Sequence, residues 1–314
     1  DSAERERELI ETLTETRRRE VHREARQAYY RYYSARQLAL LEQELLGIAT
    51  QFHATVRLRR AEKTVLELEE IKTAVELATQ ELETQTAGTE VQAAGVEVRR
   101  VLGDPAFDPS RIEAVPAVEI GLETSAAYEA MAETRHPLLM AADREVAWIE
   151  ALTDLARREA IPDLTVSALY GRAAAEGAQG EEETPERDDI VDLGVEIPLP
   201  LVNRNQGRIA ELEALRRKAV LDREGVRQAL IARVRAAVQD LRLRLTRLET
   251  YRDQIIPQAT KAVEQATSLY KEGKVLNLDV LDAQRVLGNA RRQYLLAQRD
   301  VASGIAELES LIQE

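Results

Sequence analysis

The sequence predicts a mainly α chain of long antiparallel helical hairpins, interrupted once by a pair of β-strands. Three observations carry this reading. Only 14 Gly and 9 Pro occur in 314 residues, too few punctuating residues for a chain with many turns. Apolar residues recur three or four apart over long stretches, the period of a helix with one packed face. Between residues 162 and 200 that period changes to two, the period of a strand.

Each element follows from local pattern. Residues 1–102 form the first helical hairpin, with Leu38, Leu41, Leu45 and Ile48 on its seam. It ends at Leu102-Gly103-Asp104-Pro105, where glycine suits a helix C-terminus and proline cannot continue the helix. Residues 103–118 read as irregular. Residues 119–161 are helical again, broken near His136-Pro137, because proline lacks a backbone donor and disfavours helix in the residue before it. In residues 162–200, Leu164, Val166, Ala168 and Tyr170 alternate with Thr165, Ser167 and Gly171, with Leu169 as a blemish. After an acidic, Gly-rich segment, 173–188, Val191, Leu193, Val195, Ile197 and Leu199 alternate with Asp192, Gly194, Glu196 and Pro198. A lone two-stranded hairpin is marginally stable, so these strands call for a larger sheet. Residues 201–314 form the second helical hairpin. Its first helix carries the seam Val226, Leu230, Val234, Val238, Leu241, Leu245, Leu248 and Ile255, and Pro257 is expected to kink or unwind it. Lys271-Glu272-Gly273-Lys274 reverses the chain before a last helix, from about Leu278 to Ile312.

The two hairpins repeat. Val65-Leu66-Glu67-Leu68-Glu69-Glu70-Ile71 aligns with Val275-Leu276-Asn277-Leu278-Asp279-Val280-Leu281 at an offset of 210, and both stretches follow a long helix and open a second.

Composition excludes several functions. A formal charge of −13 argues against a non-specific nucleic-acid binder, whose binding depends on a basic face that neutralises phosphates, and no such face is evident in the sequence. The absence of cysteine removes disulfides, zinc ribbons and thiol nucleophiles. No run approaches the length of a transmembrane helix, and the first twelve residues lack the apolar core of a signal peptide, but alternating β-strands in a barrel stay allowed. His22, His53 and His136 lie on separate elements without metal-ligand spacing. Met131 and Met140 are the sole thioethers, too few for a soft-metal cluster. Tyr29, Tyr30, Tyr32 and Tyr33 spread around one helix and read as packing. No nucleophile-base set, phosphate loop or paired buried carboxylates suggest an enzyme, and no cofactor is implied.

Three stretches resemble the TolC-like outer-membrane efflux factors, in their CzcC/CusC-type heavy-metal branch. They are Ile161-Pro162-Asp163-Leu164-Thr165-Val166-Ser167-Ala168; Gly194-Val195-Glu196-Ile197-Pro198-Leu199-Pro200-Leu201-Val202-Asn203-Arg204-Asn205-Gln206-Gly207-Arg208-Ile209-Ala210; and Tyr270-Lys271-Glu272-Gly273 with Leu278-Asp279-Val280-Leu281-Asp282-Ala283-Gln284. The resemblance implies a homotrimer in which the helical hairpins line an α-barrel tunnel and the strands join a trimeric transmembrane β-barrel. It also implies an outer-membrane location with a long periplasmic extension. The chain would be a passive exit duct of a tripartite efflux pump for cations or heavy metals. It would be opened by a periplasmic adaptor (membrane fusion protein) and an inner-membrane efflux transporter.

Under that resemblance Val191, Leu193, Val195 and Ile197 face outer-membrane lipid, Asp192 and Glu196 face the barrel lumen, and 173–188 is an external loop. Asp279, Asp282 and Tyr270 belong to the periplasmic entrance and its gate, while Gly273 and Lys274 form the adaptor-docking tip. Two alternatives stay beside this: the aspartates can cap the helix as well as ring the entrance, and Tyr270 equally suits packing on the seam. The first hairpin carries Arg60 and Lys63 at the positions of Tyr270 and Gly273, and lysine lacks glycine's access to positive φ. The family pattern places two further strands and an export signal upstream, so 314 residues are expected to be part of a longer chain. The rival reading is a periplasmic coiled-coil adaptor or scaffold without a channel.

Overall fold

The computed structural model describes residues 2–112, 123–161, 163–174, 187–196 and 204–312. Seven helices and two strands occur among them: α1 (Ser2–Ala61), α2 (Glu67–Leu102), α3 (Ser125–Arg135), α4 (Pro137–Glu159), β1 (Thr165–Ala174), β2 (Arg187–Glu196), α5 (Gln206–Thr250), α6 (Ile256–Lys271) and α7 (Asn277–Ile312). They fall into two compact units, one of residues 1–12 and 140–225, the other of 13–139 and 226–314.

The larger unit holds most of both hairpins. In the first, Ala28, Tyr32 and Ala35 of α1 are buried with Ala94 and Val98 of α2 and with Ile112. Small residues on both sides let the two helices approach closely. The hairpin is pinned by Gln80 and Thr84 of α2, which donate to the Glu42 carbonyl at 3.3 and 3.2 Å. In the second hairpin, Leu230, Val234, Val238 and Leu241 of α5 meet Val301, Ile305, Leu308 and Leu311 of α7, with Tyr128 and Ala132 of α3 in the same cluster. The predicted seam is therefore the core from Leu230 to Leu248, whereas Ile255 at its far end is exposed; each fully buried side chain contributes about 1.5–3 kcal/mol by leaving water.

Pro257 leaves its mark where the sequence places it. One turn of π-helix, Tyr251–Ile255, precedes it, and the Ile256 amide bonds the Tyr251 carbonyl. Widening the turn relieves the clash that a proline ring makes with the carbonyl four residues earlier.

Helices α3 and α4 are separated at His136, which is buried. Its Nδ1 accepts the Leu138 amide at 3.2 Å, a side-chain cap on the helix that Pro137 begins. Burial first, and then the charges of Arg19 and Arg233, push this imidazole down to about 4.

In the smaller unit, α4 is tied to α1 by Arg144, which donates to the Glu8 carbonyl at 2.5 Å and to the Thr12 hydroxyl. It is tied to α5 by Arg157 on Glu213 at 2.9 Å and by the Asn205 amide on the Ala156 carbonyl at 2.9 Å. β1 and β2 are antiparallel, with Val191 opposite Tyr170, Leu193 opposite Ala168 and Val195 opposite Val166. The pairing runs out to Ala174 and Arg187. The acidic segment is thus shorter as a loop than 173–188: the ladder takes its first and last residues, because cross-strand pairing persists beyond the apolar alternation. Its centre, with Ile197 and residues 113–122, lies outside the described residues.

Candidate functional site

Two places answer to the sequence expectations: the reversal of the second hairpin and the strand pair.

At the reversal, α6 closes with a paired-bond C-terminus. The Gly273 amide bonds the Tyr270 carbonyl at 3.0 Å and the Lys274 amide bonds the Leu269 carbonyl at 2.9 Å. Gly273 has φ +72°, the left-handed geometry this motif needs. Lys274 pairs with Glu272 at 2.6 Å. The first hairpin repeats the motif: the Lys63 amide bonds the Arg60 carbonyl at 3.0 Å and the Thr64 amide bonds the Arg59 carbonyl at 2.9 Å. Here the left-handed position is Lys63, φ +59°. The sequence argument against lysine is overridden, because the hydrogen bonds at the helix end compensate a strain of about 1–2 kcal/mol.

Asp279 caps α7. Its Oδ2 accepts the Leu276 amide at 2.8 Å, while its own amide bonds the Leu276 carbonyl at 3.1 Å. This is the back-reaching half of a capping box. Asp282, one turn on, is exposed and pairs with Arg285 at 3.2 Å. Both carboxylates therefore occupy neighbouring positions at the start of α7, with a cation beside them that the sequence reading did not weigh.

Tyr270 is half-buried, and Arg59 of the first hairpin sits on it. The guanidinium donates to the phenolic oxygen and lies 4.8 Å from the ring centre. Periodicity did not reveal this partner: the repeat aligns Arg59 with Leu269, and a cross-hairpin contact leaves no trace in either helix's own spacing.

Further along α1, that helix is joined to α7 through Glu42 and Arg292. The guanidinium donates to both carboxylate oxygens, at 2.7 and 2.9 Å, and the Gln80 amide donates at 2.7 Å. The Glu42 side chain is 4% exposed and that of Arg292 30%. Burial alone would raise the carboxyl, but the hydrogen bonds from Arg292 and Gln80, with the Arg292 charge, hold it below the usual range. Nearby, Gly288 of α7 faces Leu45 of α1 so closely that a Cβ would meet the leucine methyls at 3.1 and 3.2 Å. Beside this contact lies a groove of about 400 Å³ lined by Ile48, Glu76, Leu281 and Arg285.

On the strand pair, Val191, Leu193 and Val195 share one face with Val166, Ala168 and Tyr170, and Asp192, Gly194 and Glu196 share the other with Thr165, Ser167 and Leu169. The three valine and leucine side chains of β2 are 67–75% exposed. Leu169 and Ile190 are the large apolar residues on the polar face. No described helix is long and apolar enough to cross a membrane, a statement that does not bear on strands. Among the described residues no three or more His, Cys, Asp or Glu are grouped to hold a metal ion.

Residues 130–312, more than half of the chain, match the family described as outer membrane efflux protein. The chain belongs to that family. Cobalt-zinc-cadmium resistance protein CzcC of Cupriavidus metallidurans is 28% identical over 305 residues, 94% of this chain and 68% of CzcC. Among solved structures, the outer membrane protein VceC from Vibrio cholerae superposes with a TM-score of 0.77 at 20% identity, covering 99% of this chain and 74% of VceC. CusC, studied for transmembrane channel formation, gives 0.76 at 18%, covering 99% and 73%. At such identities these likenesses speak for the fold: the long helical hairpins and paired strands of this efflux protein family.

Proposed function

We propose that this efflux-family protein is the outer-membrane exit duct of a tripartite pump that expels metal cations. Three copies close a helical tunnel in the periplasm and contribute their strands to one β-barrel. The observation that carries the reading is the strand pair: ten-residue strands, one face apolar and exposed, the other carrying Asp192 and Glu196. Strands of about this length span a bilayer when tilted, with alternate residues toward lipid and lumen. Val191, Leu193 and Val195 face lipid in this arrangement. A periplasmic scaffold has no use for such a face.

The duct performs no chemistry; it positions charge and opens. Asp279 and Asp282 recur around the axis at the periplasmic entrance and raise the local concentration of cations, moderated by Arg285. Capping by Asp279 is compatible with this, since the residue is exposed and the cap uses only Oδ2. The Arg59–Tyr270 contact ties the two hairpin tips together in the closed state. An adaptor that engages the reversal at Gly273 and Lys274 frees it, and the inner-membrane transporter supplies the energy. The metal class follows from the similarity to CzcC.

Reconstitution in planar bilayers tests the reading. Discrete, cation-selective current steps are expected, with selectivity reduced in Asp192→Asn/Glu196→Gln. A protein that stays monodisperse without detergent and never conducts would overturn it.

A further inference from the structure

One stretch of α1 carries positive charge that its own helix does not balance. Elsewhere on that helix arginines are matched one turn away: Arg5 bonds Glu8 at 3.1 Å, Arg7 bonds Glu11 at 2.9 Å and Arg17 bonds Glu20 at 2.7 Å. Beside these the pattern fails. Arg19, Arg23 and Arg26 follow one another at spacings of four and three, with Arg18 and His22 next to them. Like charges at those spacings are neighbours on the helix surface and weaken it, so helix formation does not explain the stripe.

The structure makes the stripe one side of a groove of about 340 Å³, walled on the other by Ala306 and Ser310 near the end of α7. Four guanidiniums line it against two carboxylates. Glu309 of α7 is held by Arg26, and that pair serves the helix end: the last turn of α7 has no basic residue of its own, and a cation there offsets its free carbonyls. Glu15 stands 3.8 Å from Arg18 and 3.9 Å from Arg19, too far for a direct hydrogen bond to either. Arg23 is half-buried and has no ion-pair partner among the described residues. Positive charge also crowds the neighbourhood of Arg19, since its charge and that of Arg233 act together, after burial, on His136.

We infer that this groove binds a small multivalent oxyanion, a compact ion of the pyrophosphate kind, held by Arg18, Arg19 and Arg23 with His22 beside them. A guanidinium is a planar fork that gives two parallel hydrogen bonds to one phosphate group, and several forks around one groove suit an ion with more than one charged group. Glu15 marks the place, because its carboxylate stands between Arg18 and Arg19 without bonding either. An incoming anion therefore displaces a weak contact. The lining of α1, residues 15–26, is short, about three turns, and α7 walls it. That shape suits a compact ion better than an extended acidic chain.

Calorimetric titration of the full protein in detergent with inorganic pyrophosphate, at fixed ionic strength, tests the site. Saturable binding at one site per chain is expected. Arg18→Gln/Arg23→Gln should weaken it about tenfold or more, the order carried by a lost charge-assisted bond. Arg17→Gln, on the same turns but bonded to Glu20, should keep the original affinity. Glu15→Gln should tighten binding several-fold, a gain that damage to the fold does not produce. Absence of saturable heat would overturn the proposal, as would equal weakening by Arg17→Gln, which would reduce the effect to net charge. Polyglutamate is the second probe: its binding in preference to pyrophosphate, lost in Arg18→Gln/Arg23→Gln, would overturn the assignment to a small ion. The site stands apart from the duct reading. Binding without conductance leaves it in place, and conductance without binding removes it alone.

Discussion

Removing the Glu42 carboxylate should destabilise the junction of the two hairpins more than any surface charge change. Glu42 is almost fully enclosed and accepts three hydrogen bonds, two from Arg292 and one from Gln80. Breaking a buried pair by deleting one partner costs about 3–5 kcal/mol, chiefly because the other charge is stranded. Arg292 keeps 30% exposure, so water relieves part of that, and about 2–3 kcal/mol is expected for Glu42→Leu on this principle. Replacing both, Glu42→Leu/Arg292→Leu, should restore most of the loss. The measurement is a double-mutant cycle from urea unfolding followed by helical circular dichroism in detergent. The pH dependence has a definite sign. The native carboxyl titrates below its ordinary 4.5, so its contribution is complete above that value and fades as pH falls through the lowered one. Glu42→Leu should lose this acid-side slope. If the two single substitutions add without coupling, or the slope survives, the pair does not join the hairpins.

Other consequences follow from the same geometry. His136 is held down to about 4, so stability present above about 6.5 should decline as pH drops from there toward 4, and His136→Asn should abolish that decline while keeping a capping acceptor. Arg59→Ala and Tyr270→Phe should each raise the open probability of single channels, with Tyr270→Phe milder because the ring still receives the guanidinium; unchanged gating would leave the contact a packing feature. Asp279→Ala/Asp282→Ala should weaken block by divalent cations several-fold, whereas Asp282→Ala alone, which frees Arg285, should shift selectivity toward anions. Lys63→Gly should stabilise the first reversal by about 1 kcal/mol by removing left-handed strain, read as slower hydrogen exchange around residues 58–64.

The helical hairpins were legible because their cause is local and periodic. Val234, Val238 and Leu241 recur on one stripe, and that stripe is where α7 packs. Pro257 was legible as a defect, but the form of the defect, a π turn, depends on the neighbouring carbonyls and was not. The strand pair showed in its alternation, and even Leu169 falls on the face that the alternation gives it. What stayed hidden was every contact between hairpins. Glu42 reads as one acid among 56 Asp and Glu residues, Arg59 as one of several basic residues at a helix end, and neither sits on an apolar period. Ion pairs between distant segments are set by the approach of two helices, which no single helix's pattern records.

The repeat turns that blind spot into an argument. Two hairpins with the same turn bonds would pack alike if their faces were alike, yet α7 sets Arg292 on Glu42 of α1, whereas the counterpart positions are an exposed Leu82 on α2 and Arg252, which pairs with Asp253. A buried ion pair resists sliding, because partial separation strands both charges in a poorly solvated place. An apolar seam keeps much of its burial through a small slip, since the hydrophobic effect has no direction. If the tip opens by relative movement of helices, the movement should therefore fall on the exposed apolar face of α2 and spare the ionic contact of α1 with α7. Disulfide locking through Leu45→Cys/Gly288→Cys should then leave opening intact, and a lock there that abolished single-channel opening would refute the reasoning.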